Sequence, residues 1–152
     1  MTQLWETFKF GPLFTKSARF LCDNLTLIII KFNVVLMSLF DKDLALNQAD
    51  GNIKLAKELF EMLVKDLPIS LELAKNAHKN LNKDLFWDAI HKIHGGTAYC
   101  GVPDLKSSCK QLEEEIKLQY PSQNVDAAFN RFKTHVSALQ DNADKLIEQF
   151  TR

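Results

Sequence analysis

The chain has 152 residues, 46% apolar and 25% charged, with five glycines and four prolines. That length holds one domain of common size and excludes two large ones, and the composition excludes a disordered or collagen-like chain. Nineteen Lys and Arg against nineteen Asp and Glu leave no net charge, which removes the long-range attraction on which nucleic-acid and anionic-membrane binders rely.

Residues 1–40 form an apolar leader, set apart from a domain at 41–152. Phe8, Phe10, Phe14, Phe20, Phe32 and Phe40 fall within it, and Glu6 and Asp23 are its acids. Its run from 25 to 40 is β-branched and apolar, but Lys31 and Asn33 interrupt it, and it falls short of the ~20 residues of a membrane span. Membrane contact is therefore not expected. The run also lies too far from Met1, behind mixed residues, to be an ordinary secretory signal.

From Asp41 onward the pattern is helical, without two-residue alternation or hairpin turns. Asp41 caps a short helix carrying Leu44 and Leu46, stopped by Asp50, Gly51 and Asn52. Asn52 caps a long second helix whose Leu55, Ala56, Leu59, Phe60, Leu63, Leu67, Leu71 and Ala74 make one buried stripe. Pro68 within it should bend or restart the helix, because proline lacks the N–H and its ring opposes the carbonyl four residues back. Asn82 caps a third, with Leu85, Phe86, Ala89, Ile90, Ile93 and Thr97 inward. Pro103 opens a fourth, striped by Leu105, Cys109, Leu112 and Ile116, and Tyr120-Pro121 ends it. A fifth carries Val125, Phe129, Phe132, Val136, Leu139, Leu146, Ile147 and Phe150. Four long amphipathic helices on short loops bury their stripes most economically as an all-α, antiparallel four-helix bundle with a short N-terminal cap helix.

The third helix is where chemistry gathers. With the core direction set by Phe86, Ile90, Ile93 and Thr97, His94 falls ~80° away and His91 ~140° away. His91 is thus expected to face outward, with Trp87, His94 and Gly95 as helical neighbours. A glycine within a helix costs about 1 kcal/mol relative to alanine, and Gly95 and Gly96 follow one turn after His91. A bare Gly95 leaves the imidazole open to another protein's backbone or phosphate. A neutral imidazole nitrogen is a phosphoryl nucleophile, and His94 or Lys92 can offset the charge of the bound phosphate.

The segment Ile90-His91-Lys92-Ile93-His94-Gly95-Gly96, followed by Gly101, resembles the signature of histidine-containing phosphotransfer (HPt) domains, His-x-x-Lys-Gly with a second glycine ten residues after the histidine. Asp43-Leu-Ala-Leu, the run from Leu59 to Pro68, and Tyr99-Cys-Gly-Val-Pro103 with Cys109 and Gln111-Leu-Glu are similar to the C-terminal HPt domain of BarA/GacS-type hybrid sensor kinases. The resemblance spans roughly residues 41 to 150. It implies an HPt-type bundle, usually monomeric, in which His91 takes the phosphoryl group from a receiver-domain aspartate and passes it to the aspartate of a response regulator. His94 stands where most of the family has lysine, as is usual in BarA-like members, and Gly96 replaces a frequent serine. The histidine makes phosphate stabilisation pH-sensitive, an expectation that a flat transfer rate across the neutral range would remove. Gly95 and Gly101 match the motif glycines and shape the site, and Trp87, Asp88 and Ala98 lie on the docking surface between the second and third helices. No cofactor is implied, Mg²⁺ being expected on the partner receiver, and the location implied is cytoplasmic, alone or as a module of an inner-membrane kinase.

Rival readings concern the same residues. His91 and His94 have a metal-compatible i,i+3 spacing, but a structural zinc site needs four converging ligands, no Cys-x-x-Cys occurs, and Cys109 belongs to an apolar stripe. No metal site is assigned. The three cysteines, Cys22, Cys100 and Cys109, are an odd number at irregular spacings, which points to a reducing compartment rather than to disulfides; Cys100 and Cys109 read as buried small hydrophobes. Glu113-Glu114-Glu115 reads as solvated helix surface, and so do His78 and His135. No nucleotide-binding loop or kinase site is present in the pattern. The alternative function is a helical adaptor that binds partners without chemistry.

Overall fold

The computed structural model describes residues 39–151, and nearly all of them are helical. In chain order the elements are α1 (Lys42–Gln48), α2 (Ile53–Lys79), α3 (Lys83–Thr97), α4 (Pro103–Leu118), α5 (Gln123–Asp141) and α6 (Ala143–Glu148), followed by a 3₁₀ turn, Gln149–Thr151. The leader, with its apolar run, lies outside the described residues except for Leu39 and Phe40. Among the described residues no helix is long and apolar enough to cross a membrane.

Helix starts follow the local chemistry. The side chains of Asp41, Asn52 and Asn82 each accept a hydrogen bond from the backbone N–H three residues on, at 2.9, 3.1 and 3.1 Å, satisfying a donor the helix leaves free. Ser122 does the same for α5, and α4 begins at Pro103 without a side-chain cap. α2 ends through Leu81 at φ 54°, where Leu81 N–H donates to His78 and Asn82 N–H to Ala77. This is the Schellman closure usually given to glycine.

α2 to α5 pack as successive antiparallel neighbours and α2 also meets α5, which closes the four-helix bundle, while α1 and α6 lie against α2. Phe60, Leu67, Phe86, Ile90, Leu105, Leu112, Ile116, Phe132 and Leu139 fill the core, all fully buried. Phe40, Phe60 and Phe150 form an aromatic cluster with centroids 4.9 to 5.9 Å apart. Phe40 thereby anchors the start of the bundle, edge-on in the geometry ring quadrupoles favour.

Three expectations are revised. Of the two outcomes expected at Pro68, a restart does not occur: α2 is one helix through it, its missing donor being tolerated because both halves of the helix bury one continuous stripe. The fifth helix does not continue to Phe150: it stops at Asp141, and after Asn142 the chain restarts as α6. Asn142 Nδ2 donates to the Ala138 carbonyl at 2.8 Å, a side-chain alternative to continuing the helical ladder. Leu85 and Leu55 are exposed rather than inward; each is the N3 residue of its helix, and Leu85 lies at the rim of a groove with Leu73 and Ala77 of α2.

Candidate functional site

α3 turns Phe86, Ile90, Ile93 and Thr97 into the core, and that phase sets His91 outward, 59% exposed, with His94 on the flank, 23% exposed. Both rings meet one carboxylate from α4. His91 Nδ1 lies 2.9 Å from Glu113 Oε1, and His94 Nδ1 lies 3.0 Å from Glu113 Oε2. An ionised carboxylate only accepts hydrogen bonds, so each Nδ1–H donates and, in the neutral ring, Nε2 keeps the lone pair.

Glu113 itself is buried, its side chain 10% exposed. Reading it as solvated surface is therefore incorrect, although Glu114 beside it is exposed. The signal was available in the helical phase: position 113 is four residues after Cys109 and three before Ile116, on the buried stripe of α4. A carboxylate is held there because two charge-assisted donors replace its lost water. Trp87 stacks flat on His91, centroids 4.5 Å apart and planes at 13°. On its flank Lys117 Nζ lies 5.2 Å from the indole centroid. The His91 ring is thus fixed by a carboxylate at one edge and an indole on one face, while its Nε2 edge is left uncovered.

The glycines divide by role. A Cβ on Gly95 would meet nothing within 4 Å, so the surface one turn beyond His91 is clear, whereas one on Gly96 would sit 3.2 Å from Leu63 Cδ1 of α2, which would have to give by a few tenths of an ångström. Gly101 is not at the imidazole. It has φ +62°, and a Cβ there would fall 2.3 Å from the Asp41 carbonyl oxygen. Its own carbonyl accepts from Asp41 N–H at 2.8 Å. Gly101 acts by joining α1 to the α3–α4 loop, and so shapes the site only through the fold.

Lys92 does not join the histidines. It is exposed on the other flank of α3, lining a groove against α2 with Leu59, Met62, Asp66, Tyr99 and Cys100, and an adjoining one with Leu73, Leu85 and Asp88. Trp87 lies on the α4 side, so the expected docking residues occupy both flanks of His91; Ala98, half-buried, closes α3. Cys100 and Cys109 are free and buried. Burial pushes the Cys100 thiol up to about 12, and burial, with the nearby Glu113 charge, raises that of Cys109.

The two remaining histidines are not solvated surface. His78 packs against Phe86, Tyr120 and Phe129 at 4.8, 5.9 and 5.2 Å, and its Nε2 lies 3.0 Å from Asp126. His135 is half-buried, and its Nδ1 has no hydrogen-bond partner. His78 departs from the solvated reading because rings from α3, α5 and the loop before α5, rather than the polarity of α2 itself, enclose it.

The Hpt domain family profile matches residues 58–147. The chain is 31% identical over 103 residues, 68% of its length, to the sensor protein GacS of Pseudomonas syringae pv. syringae, and covers 11% of that protein. It is 26% identical over 131 residues, 86% of its length, to the signal transduction histidine-protein kinase BarA of Shigella flexneri, covering 14% of it. The crystal structure of the HPt domain of a hybrid histidine kinase from Shewanella superposes with a TM-score of 0.68 at 26% identity, over 74% of this chain and 97% of that one. Bundle topology, an outward histidine on its third helix and these likenesses agree: the chain belongs to the Hpt domain family, the histidine phosphotransfer domains of two-component phosphorelays.

Proposed function

We propose that His91 is the phosphoryl carrier, taking the group from a phospho-aspartate of a hybrid-kinase receiver domain and giving it to the aspartate of a response regulator. The observation that carries this reading is the Glu113 hydrogen bond to His91 Nδ1, which leaves the exposed Nε2 as the nucleophilic nitrogen. In the forward step the Nε2 lone pair forms the N–P bond as the aspartyl O–P bond breaks, and the carboxylate departs with the bonding pair. The ring then carries both a phosphoryl group and the Nδ1 proton, and Glu113 opposes the positive charge that develops there. Trp87 holds the ring's plane through the step. His94, sharing the same carboxylate, supplies a cation for the phosphoryl oxygens, while Lys92 lies on the other flank and serves docking.

The domain supplies a nucleophile and a surface, and the receiver supplies its acidic pocket and Mg²⁺, so the bundle requires no cofactor of its own. Exposed Met62, Leu73 and Tyr99 line the grooves between α2 and α3 and suit a modest, reversible interface with Asp88 and Ala98 at its margin and Trp87 on the opposite flank of His91. The chain acts as a monomer on the cytoplasmic side of a hybrid-kinase relay.

The test is to incubate the chain with a ³²P-labelled receiver and look for acid-labile, base-stable label. Label is expected on the unmodified chain and absent from His91→Gln. A chain that takes no label would leave a binding adaptor in place of a carrier.

A further inference from the structure

We propose that His91 Nδ1, His94 Nδ1 and the Glu113 carboxylate form a binding site for Zn²⁺ whose occupation withdraws His91 from phosphoryl transfer. The inference rests on the carrier role of His91 for its consequence, but not for the site itself.

Among the described residues these three offer one ligand atom each within 4.8 Å of one another. Zn²⁺ binds imidazole nitrogen and carboxylate oxygen at about 2.0–2.2 Å and prefers a tetrahedron, which sets neighbouring ligand atoms about 3.3–3.5 Å apart. The two nitrogen–oxygen spacings are already 2.9 and 3.0 Å. Each spacing is to a different oxygen of Glu113, and the three ligand atoms lie within 4.8 Å of one another, so the ion draws the farther ligands together by up to about 1.5 Å and takes the place of two hydrogen-bond protons. Two elements hold the ligands: both histidines are one turn apart on α3, and Glu113 is anchored on the buried stripe of α4. The approach is open, since His91 is exposed and a Cβ at Gly95 would meet nothing. Three protein ligands and a solvent-facing fourth position describe an open zinc site rather than a closed structural one. A nitrogen-rich set selects a borderline ion such as Zn²⁺ over Mg²⁺, which prefers oxygen and keeps its waters. This ligand set revises the assignment of no metal site, which considered only cysteines as further ligands.

The consequence follows from the proton count on one ring. A neutral imidazole has one N–H and one lone pair. In the hydrogen-bonded state the proton is on Nδ1 and the lone pair on Nε2. Zinc takes the Nδ1 lone pair, so the proton passes through solvent to Nε2, and no lone pair remains there for phosphorus. No bond to phosphorus forms in the zinc-bound state, although Nε2 is still exposed.

The experiment uses the full chain with ZnCl₂ alone, by titration calorimetry and by ¹⁵N long-range spectra of the imidazoles, with no receiver present. One Zn²⁺ is expected per site, His91 moving from the Nδ1–H to the Nε2–H form, with affinity falling at least about tenfold in His94→Gln and in the isosteric Glu113→Gln. MgCl₂ should change neither reading. Absence of saturable Zn²⁺ binding, binding at full affinity in His94→Gln, or a His91 ring that keeps its Nδ1 proton would each overturn the proposal. A receiver-labelling arm then reads the consequence: Zn²⁺ suppresses label on the unmodified chain, chelation restores it, and His94→Gln, measured against its own zinc-free label, loses a smaller fraction. A chain that binds zinc as described yet never takes label fails the carrier reading while the metal site stands; one that labels equally with and without zinc fails the withdrawal of His91.

Discussion

Of the histidine–carboxylate pairs on this bundle, His78–Asp126 and His91–Glu113 have their burial reversed. At His78–Asp126 the ring is 22% exposed and the carboxylate 60%; at His91–Glu113 the ring is 59% exposed and the carboxylate 10%. His78 is enclosed by three aromatic rings and joins α2 to α5, so its imidazole is structural and its carboxylate a solvated afterthought. At His91 the anchoring half is inside and the reactive half outside. The same two groups, an imidazole and a carboxylate at nearly the same distance, thus make a staple in one place and a reagent in the other, depending on which partner the core takes in.

The largest effects should come from exchanging the two. His91→Gln is expected to abolish receiver-derived label with a melting temperature close to that of the unmodified chain. His78→Gln should keep the label and cost about 1–2 kcal/mol in urea unfolding, through lost ring packing and its hydrogen bonds. Label loss in the His78 variant would erase the distinction. The glycines repeat the contrast. Gly101→Ala should destabilise by about 3 kcal/mol, from a left-handed backbone and a Cβ forced against the Asp41 carbonyl. Gly95→Ala should stabilise α3 by about 1 kcal/mol while slowing transfer, which separates its surface role from a folding one.

On the carboxylates, Glu113→Gln should slow transfer by about tenfold, as loss of an imidazole's orienting partner does elsewhere, and Asp126→Asn should shift stability by no more than about 0.5 kcal/mol, its pair being exposed on the acid side. Rapid-quench rates and denaturation curves read the two. The smallest effect concerns Cys100. Burial raises its thiol from 9.0 to about 12, so the fold favours the neutral form. Its contribution to stability is complete below pH 9.0 and is lost as pH rises toward about 12. Peptide mapping after iodoacetamide at about pH 8 should find it unmodified in the folded chain and modified in urea.

Much of this was legible before any coordinates. The caps at Asp41, Asn52 and Asn82, Pro103 at the head of α4, and the phase that turns His91 outward all follow from interactions within one or two helical turns. The break at Asn142 and the exposure of Leu85 were not, since a 3.6-residue period marks neither where a side chain takes over a helical carbonyl nor how far a neighbouring helix covers the rim of a groove. Glu113 lay between these cases: its helical phase marked it as inward, but its place in a run of three acids argued the other way.

The amino-acid sequence by itself determined the helices, their buried stripes and the identity of the outward histidine, because those rest on local hydrogen bonding and on a fixed 3.6-residue period. Only tertiary structure decided that one carboxylate would serve two histidines 19 and 22 positions away, and that His78 would be enclosed. Whether a charged side chain can remain inside depends on donors brought by another helix, and the packing of α3 on α4 supplies them.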